Sequence, residues 1–255
     1  MKEVPRKGDI IILLDIETLP CGEEDPLWEH HKRSVEERYS EGRKREEKVE
    51  EARLTTSLLP ELGRIWMIGA RMFIVGGGGS RQPNLFEEIE GYRLFSGKGT
   101  VAAESSVLSS FELYLQNIFE RRSGEESSVG VWFVGFNIEK FDIPFIQARA
   151  LKHRNNKLLS LLPSPLAKPW NRKILDIKKL IPRTGAYRDA YALGLKLGSQ
   201  DAFCRFLDIK TQEGVMGSEV HEAWLQGRRE DAEKHLEEDV EQLGHMLKAL
   251  WRLIN

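Results

Sequence analysis

The sequence predicts an α/β chain, a mixed sheet with helices on both sides, and three observations carry that prediction. The runs Ile10–Leu14, Ile65–Val75 and Val129–Phe136 are almost wholly aliphatic or aromatic, the composition of strands covered on both faces. Segments around Leu108–Phe119, Ile143–Leu151 and Leu236–Leu250 instead carry apolar residues at helical spacing. The order strands, helix, strand, helix, strand, helices then suits a sheet between two helical layers. With 255 residues, 40% of them hydrophobic, the chain can bury a full core. We expect a single domain over 1–255, with a charged helical insertion at about 21–60.

Taken in order, the first strand is Ile10-Ile11-Ile12-Leu13-Leu14, expected to close at Asp15-Ile16-Glu17-Thr18. With Ile16 between them, Asp15 and Glu17 project from the same side of an extended backbone. Two anions that close repel unless a cation lies between, and carboxylate oxygens suit hard divalent ions such as Mg2+. The pair reads either as half of a metal site or as a strand running out into a polar turn. Residues 21 to 57 are dense in mixed charge, with a thin apolar stripe that includes Trp28, Val35 and Val49, and read as solvated helices laid over the domain. After Ile65–Val75, the glycines of Gly76–Ser80 predict a flexible turn to a third strand near Gly91–Phe95.

Ser105 or Ser106 is the expected cap of the next helix. The strand Val129–Phe136 leads directly into Asn137-Ile138-Glu139-Lys140-Phe141-Asp142, which puts Asp142 in the first turn of a helix beyond a central strand. Residues 155 to 173 read as a loop. With Arg149, Lys152, His153, Arg154, Lys157, Lys168, Arg172, Lys173 and Trp170 they form either a grip for single-stranded nucleic acid or a solvated surface. Ile174–Ile177 is a short strand whose Asp176 reads as structural, and short helices are expected at Tyr191–Leu197, at Asp201–Leu207 and after Gly217-Ser218-Glu219. The last helix spans about Glu230–Leu253, with His235 and Asp239 one turn apart on one face.

A net charge of −2 gives no global basic signal for nucleic acid, so such contact would rest on local patches. Cys21 and Cys204 are far apart and lack metal-ligand spacing, which fits a reducing cytoplasm. The amino terminus lacks the apolar core of a signal peptide, and no run approaches the length needed to cross a bilayer, so a soluble, cytoplasmic protein is expected.

Residues beyond the carboxyl ends of central strands gather in one crevice of an α/β sheet. If the strands at residues 10 and 131 are neighbours, Asp15, Glu17 and Asp142 meet there, and Asp239 can join them from the last helix. Asp15-x-Glu17, Asn137-x-x-x-Phe141-Asp142 and His235-x-x-x-Asp239 together resemble the three motifs of the DEDD, or DnaQ-like, 3′-to-5′ exonuclease superfamily, which has a ribonuclease H-like fold. More narrowly, the chain resembles stand-alone exonucleases related to the proofreading domain of family B DNA polymerases. Trp28-Glu29-His30, Gly63-Arg64-Ile65, Gly135-Phe136-Asn137 and Leu175-Asp176 recur in that family, and the likeness runs from residue 9 to about 250.

The resemblance implies Asp15, Glu17, Asp142 and Asp239 as ligands of two divalent ions, Mg2+ or Mn2+, and His235 as the general base. It implies hydrolysis of the terminal phosphodiester of single-stranded nucleic acid, DNA before RNA, to nucleoside 5′-monophosphates. An RNA-trimming ribonuclease and a non-catalytic nucleic-acid-binding module of the same fold are the alternatives. Asn137 would touch substrate or cap the following helix, and Phe141 would pack beneath the site or wedge at the terminal nucleotides. One departure stands out: the family's tyrosine branch carries Tyr-x-x-x-Asp and its histidine branch His-x-x-x-x-Asp, whereas this chain has histidine at the tyrosine spacing. An imidazole can take a proton itself near neutral pH, so His235 is either that base or a histidine on the crevice rim.

Overall fold

The computed structural model describes residues 4–39, 42–76, 86–123, 129–168, 172–180, 199–211 and 217–251. Among these residues, five strands form one mixed sheet: β1 (Ile10–Leu19), β2 (Arg64–Val75), β3 (Phe86–Ser96), β4 (Val131–Gly135) and β5 (Ile174–Asp176). Their order is β3-β2-β1-β4-β5; β1 pairs antiparallel with β2 and parallel with β4, β3 antiparallel with β2, and β5 parallel with β4. Helices cover both faces, as expected. On one side α3 (Val101–Ser123), α4 (Asp142–Lys152) and α5 (Asn156–Leu161) enclose a core with Ile12, Leu14, Phe111, Phe133 and Phe145. On the other, α6 (Gln200–Phe206), α7 (Val220–Leu225) and α8 (Arg229–Leu250) enclose Ile11, Leu13, Trp66, Trp132, Leu236 and Val240.

Alternation decides which residues of β1 join which core: even positions Ile12, Leu14 and Ile16 face α3 and α4, and odd positions Ile11 and Leu13 face α8. The strand does not close at Asp15. Its pairing with β2 continues from Ile10↔Ile74 to Leu19↔Arg64, with a shift in register between Glu17 and Thr18, so both carboxylates lie inside a ten-residue strand. Backbone hydrogen bonding to β2 holds the extension that side-chain polarity alone suggested would end.

Two further boundaries differ from expectation. Helix α3 begins at Val101, because Thr100 Oγ1 accepts the Ala103 N–H at 3.2 Å; Ser105 and Ser106 lie within the helix. The span 155–173 contains α5, capped by Asn155, whose side chain accepts the Leu158 N–H at 2.9 Å. The expected helix at Tyr191–Leu197, most of the turn after Gly76, and Trp170 lie outside the described residues. In the charged segment, α1 (Pro26–Glu36) starts at an Asp25 cap with proline in its first turn and buries Trp28 and Val35, whereas α2 (Arg43–Thr55) buries no residue. Among the described residues no helix is long and apolar enough to cross a membrane.

Gly69 controls how closely α8 approaches the sheet. It is the register partner of Asp15, and a Cβ there would lie 2.9 Å from Leu236 Cγ and 3.0 Å from Val240 Cγ2. Gly69→Val should therefore lift α8, costing about 1–3 kcal/mol in urea unfolding. Wild-type stability in that variant would show that this contact does not seat α8.

Candidate active site

Asp15 and Glu17 occupy odd positions of β1, so the alternation that buries Ile11 and Leu13 against α8 aims both carboxylates at that helix. Strand β4 pairs with β1 only over Ile10–Leu13, leaving the site at the carboxyl end of that parallel pair. There the chain leaves Gly135 and turns at Asn137, which adopts φ 65°, a left-handed conformation that asparagine tolerates better than most residues. The Asn137 carbonyl accepts the N–H groups of Lys140 and Phe141, both at 3.0 Å, and α4 starts at Asp142. Asn137 thus turns the chain and does not cap α4, whose cap position is Phe141. Phe141 is half-buried, 5.5 Å from the Phe145 ring, a packing position beneath the site.

From α8, His235 Nε2 lies 3.5 Å from Asp239 Oδ2 and 3.6 Å from Glu17 Oε1. Ligand atoms of Glu17, His235 and Asp239 all fall within 4.8 Å of one another. The His235 side chain is only 15% exposed, so it stands between two carboxylates inside the crevice. Glu17 and Asp142 are buried, and Asp142 Oδ1 has no hydrogen-bond partner.

The electrostatics join all four carboxylates. Burial, followed by the charges of Asp142, Asp239 and Glu17, holds the Asp15 carboxyl well above its usual range. Glu17 is raised in the same way, by burial and then by Asp239 and Asp142. Burial pushes Asp142 up to about 7, with the charge of Asp176 adding to it and hydrogen bonds, including one with Asp15, opposing it. Asp239 is also raised by burial, although the adjacent His235 pulls the other way. Burial raises all four, and the charges of Asp142 and Asp239 raise Asp15 and Glu17 further, so the crevice favours a cation.

Sequence reasoning set Asp176 aside as structural, and the structure gives it a particular task. One oxygen accepts the backbone N–H groups of Asn137 at 3.0 Å and Lys178 at 3.1 Å, pinning the turn that delivers Asp142; the other is buried without a partner. Its position at the end of the short strand β5 is the one signal the sequence offers. The basic segment, by contrast, is not one exposed surface. Arg149 is fully buried against Glu104, His153 binds the same carboxylate, Lys152 pairs with Asp25, and Arg172 donates to the carbonyls of Ala167 and Pro165. Comparison with models of known protein families and with curated proteins found no match.

Proposed function

We propose that this protein is a metal-dependent 3′-to-5′ exonuclease of the DEDD type, releasing nucleoside 5′-monophosphates from single-stranded nucleic acid, with DNA as the favoured substrate. The observation that carries the reading is the convergence of Asp15, Glu17, Asp142 and Asp239, with His235 among them, from three segments of the chain. The strand order, in which β2 alone runs against the other four, is compatible with a ribonuclease H-like fold.

The donor set fits hard divalent ions: carboxylate oxygens predominate, and a buried oxygen of Asp142 lacks any partner. Asp15, Glu17, Asp142 and Asp239 would hold two such ions, Mg2+ or Mn2+, which supply Lewis acidity toward the attacking water and the departing 3′ oxygen. His235, 3.6 Å from Glu17 Oε1 and 3.5 Å from Asp239 Oδ2, accepts the proton of that water. Asn137 and Asp176 keep Asp142 in place by setting the turn before α4.

End-labelled single-stranded DNA and RNA oligonucleotides, incubated with Mg2+, Mn2+ or chelator, test the proposal. A metal-dependent ladder shortening from the 3′ end, lost in Asp15→Asn, is the expected result, and comparison of the two nucleic acids tests the DNA preference. His235→Ala should lower kcat by about 10²–10⁴ with oligonucleotide affinity retained; unchanged kcat would remove His235 from the mechanism. No cleavage by the wild-type protein under any metal would sink the exonuclease reading.

A further inference from the structure

Gly69 on β2 is the register partner of Asp15 on β1 and of Leu94 on β3, so at that point the sheet carries no side chain between β1 and β3. The ring of Tyr92 occupies this gap. Tyr92 packs into the core beneath α8, and its Cε2 lies 3.1 Å from where a Gly69 Cβ would stand. Cβ positions directly opposed in an antiparallel pair are about 5 Å apart, so the Asp15 side chain rises on the far side of the same gap. The phenol oxygen is two bonds beyond Cε2. It is buried, and among the described residues it has no hydrogen-bond partner. Packing does not account for it, because phenylalanine would fill the space without burying a lone polar atom.

We propose that Tyr92 is a positioning residue for Asp15: its hydroxyl donates to the Asp15 carboxylate across the space above Gly69 and holds it in the orientation that takes a divalent ion. The ion rests on the exonuclease reading; the relation of Tyr92 to Asp15 rests on the register of three strands. Burial, then the charges of Glu237, Asp15, Glu233 and Glu17, keep the phenol protonated far above neutral pH, so it is a standing donor. Of those four acids, Glu237 is exposed to water, Glu233 pairs with Arg229 and Glu17 approaches His235. Asp15 is bonded instead to another acid, Asp142, and among the described residues no basic group pairs with it. A cation between the two acids would leave an Asp15 oxygen to Tyr92. Groups that bond a ligating carboxylate fix its orientation, and their loss weakens metal affinity.

The test is calorimetric titration of Mn2+ into the full chain, with the melting temperature measured in chelator, for wild type, Tyr92→Phe, Glu237→Gln and the double variant. Tyr92→Phe should melt about 2–4 °C higher in chelator, because a buried polar atom without a partner has been removed. It should bind Mn2+ about 10- to 100-fold more weakly, with the same loss in the Glu237→Gln background. Unchanged Mn2+ affinity with a lower melting temperature would make the hydroxyl a packing contact, and a loss that disappears in the Glu237→Gln background would assign its bond to α8; either result overturns the inference, as does a wild type that binds no Mn2+. Oligonucleotide cleavage by the wild type with Mn2+ affinity unchanged in Tyr92→Phe would reject the role of Tyr92 alone. Weaker Mn2+ binding by Tyr92→Phe, with no cleavage by the wild type, would uphold Tyr92 and reject the exonuclease reading.

Discussion

Asp142→Asn should make the protein more stable in chelator and nearly inactive with metal. In the absence of cations, Asp142 is a buried acid facing Asp15 and Asp176, so at pH 8 its charge works against the fold. Neutralising it should add about 1 kcal/mol to the unfolding free energy measured in urea with chelator, in the range typical of relieved functional strain. Excess Mg2+ should reverse the order, because the wild type gains about 2.7 kcal/mol at a hundred times its dissociation constant and the variant gains less. Oligonucleotide cleavage should fall by at least about a hundredfold, the larger of the losses seen when only the groups supporting a metal ligand are removed. A variant less stable than wild type in chelator, together with no stabilisation of wild type by Mg2+ or Mn2+, would mean that the carboxylates are structural and hold no ion.

Arg149→Met is expected to cost about 3–5 kcal/mol of stability, the largest loss we anticipate from one substitution. Arg149 and Glu104 are fully buried and bonded twice, Nε to Oε1 at 2.8 Å and Nη2 to Oε2 at 2.7 Å. Glu104 also accepts the Ile65 N–H at 2.7 Å and approaches His153 Nε2 at 2.7 Å. One carboxylate thus ties α3 to α4 and to the first residues of β2, and removing the guanidinium leaves it buried without its main partner. The double variant Glu104→Leu/Arg149→Met should be much less destabilised than the sum of its single variants, because neither charge then stays behind. Additive losses in urea would show that the two side chains do not depend on each other.

The same cluster sets an acid limit on the fold. Burial opposes ionisation of Glu104, but its bonds to Arg149 and His153 and from the Ile65 N–H outweigh that and hold its pKa below the ordinary 4.5. A carboxylate depressed on folding contributes stability in full above its unfolded pKa and loses it as pH falls through the folded value. Wild-type stability should therefore decline below about pH 4.5, with a shallower decline in the double variant.

What was legible in the sequence follows from local rules. The aliphatic runs of β1, β2 and β4 announce strands because only a sheet covered on both sides buries such stretches whole. The two-residue period of a strand puts Asp15 and Glu17 on one face, the helical period puts His235 and Asp239 on another, and both placements hold. The start of α4 at Asp142 was legible because an apolar helical pattern begins directly after an apolar strand. The end of β1 was not, since backbone pairing with β2 carries it through two carboxylates to Leu19. Nor was the start of α3, where Thr100, five residues ahead of the first serine considered, supplies the cap.

By itself, the sequence determined which face of its own element each candidate residue occupies, because that depends on neighbours a few positions away. Tertiary structure alone decided that those faces meet: β4 pairs beside β1 at Ile10–Leu13, and Gly69 lets α8 settle close above Asp15. It also decided that Arg149 leaves the basic surface to lie against Glu104, 45 residues away, and that Asp176 holds the turn before Asp142. Each of these depends on register and packing between segments distant in the chain, where hydrogen bonding and close contact, rather than local pattern, select the partner.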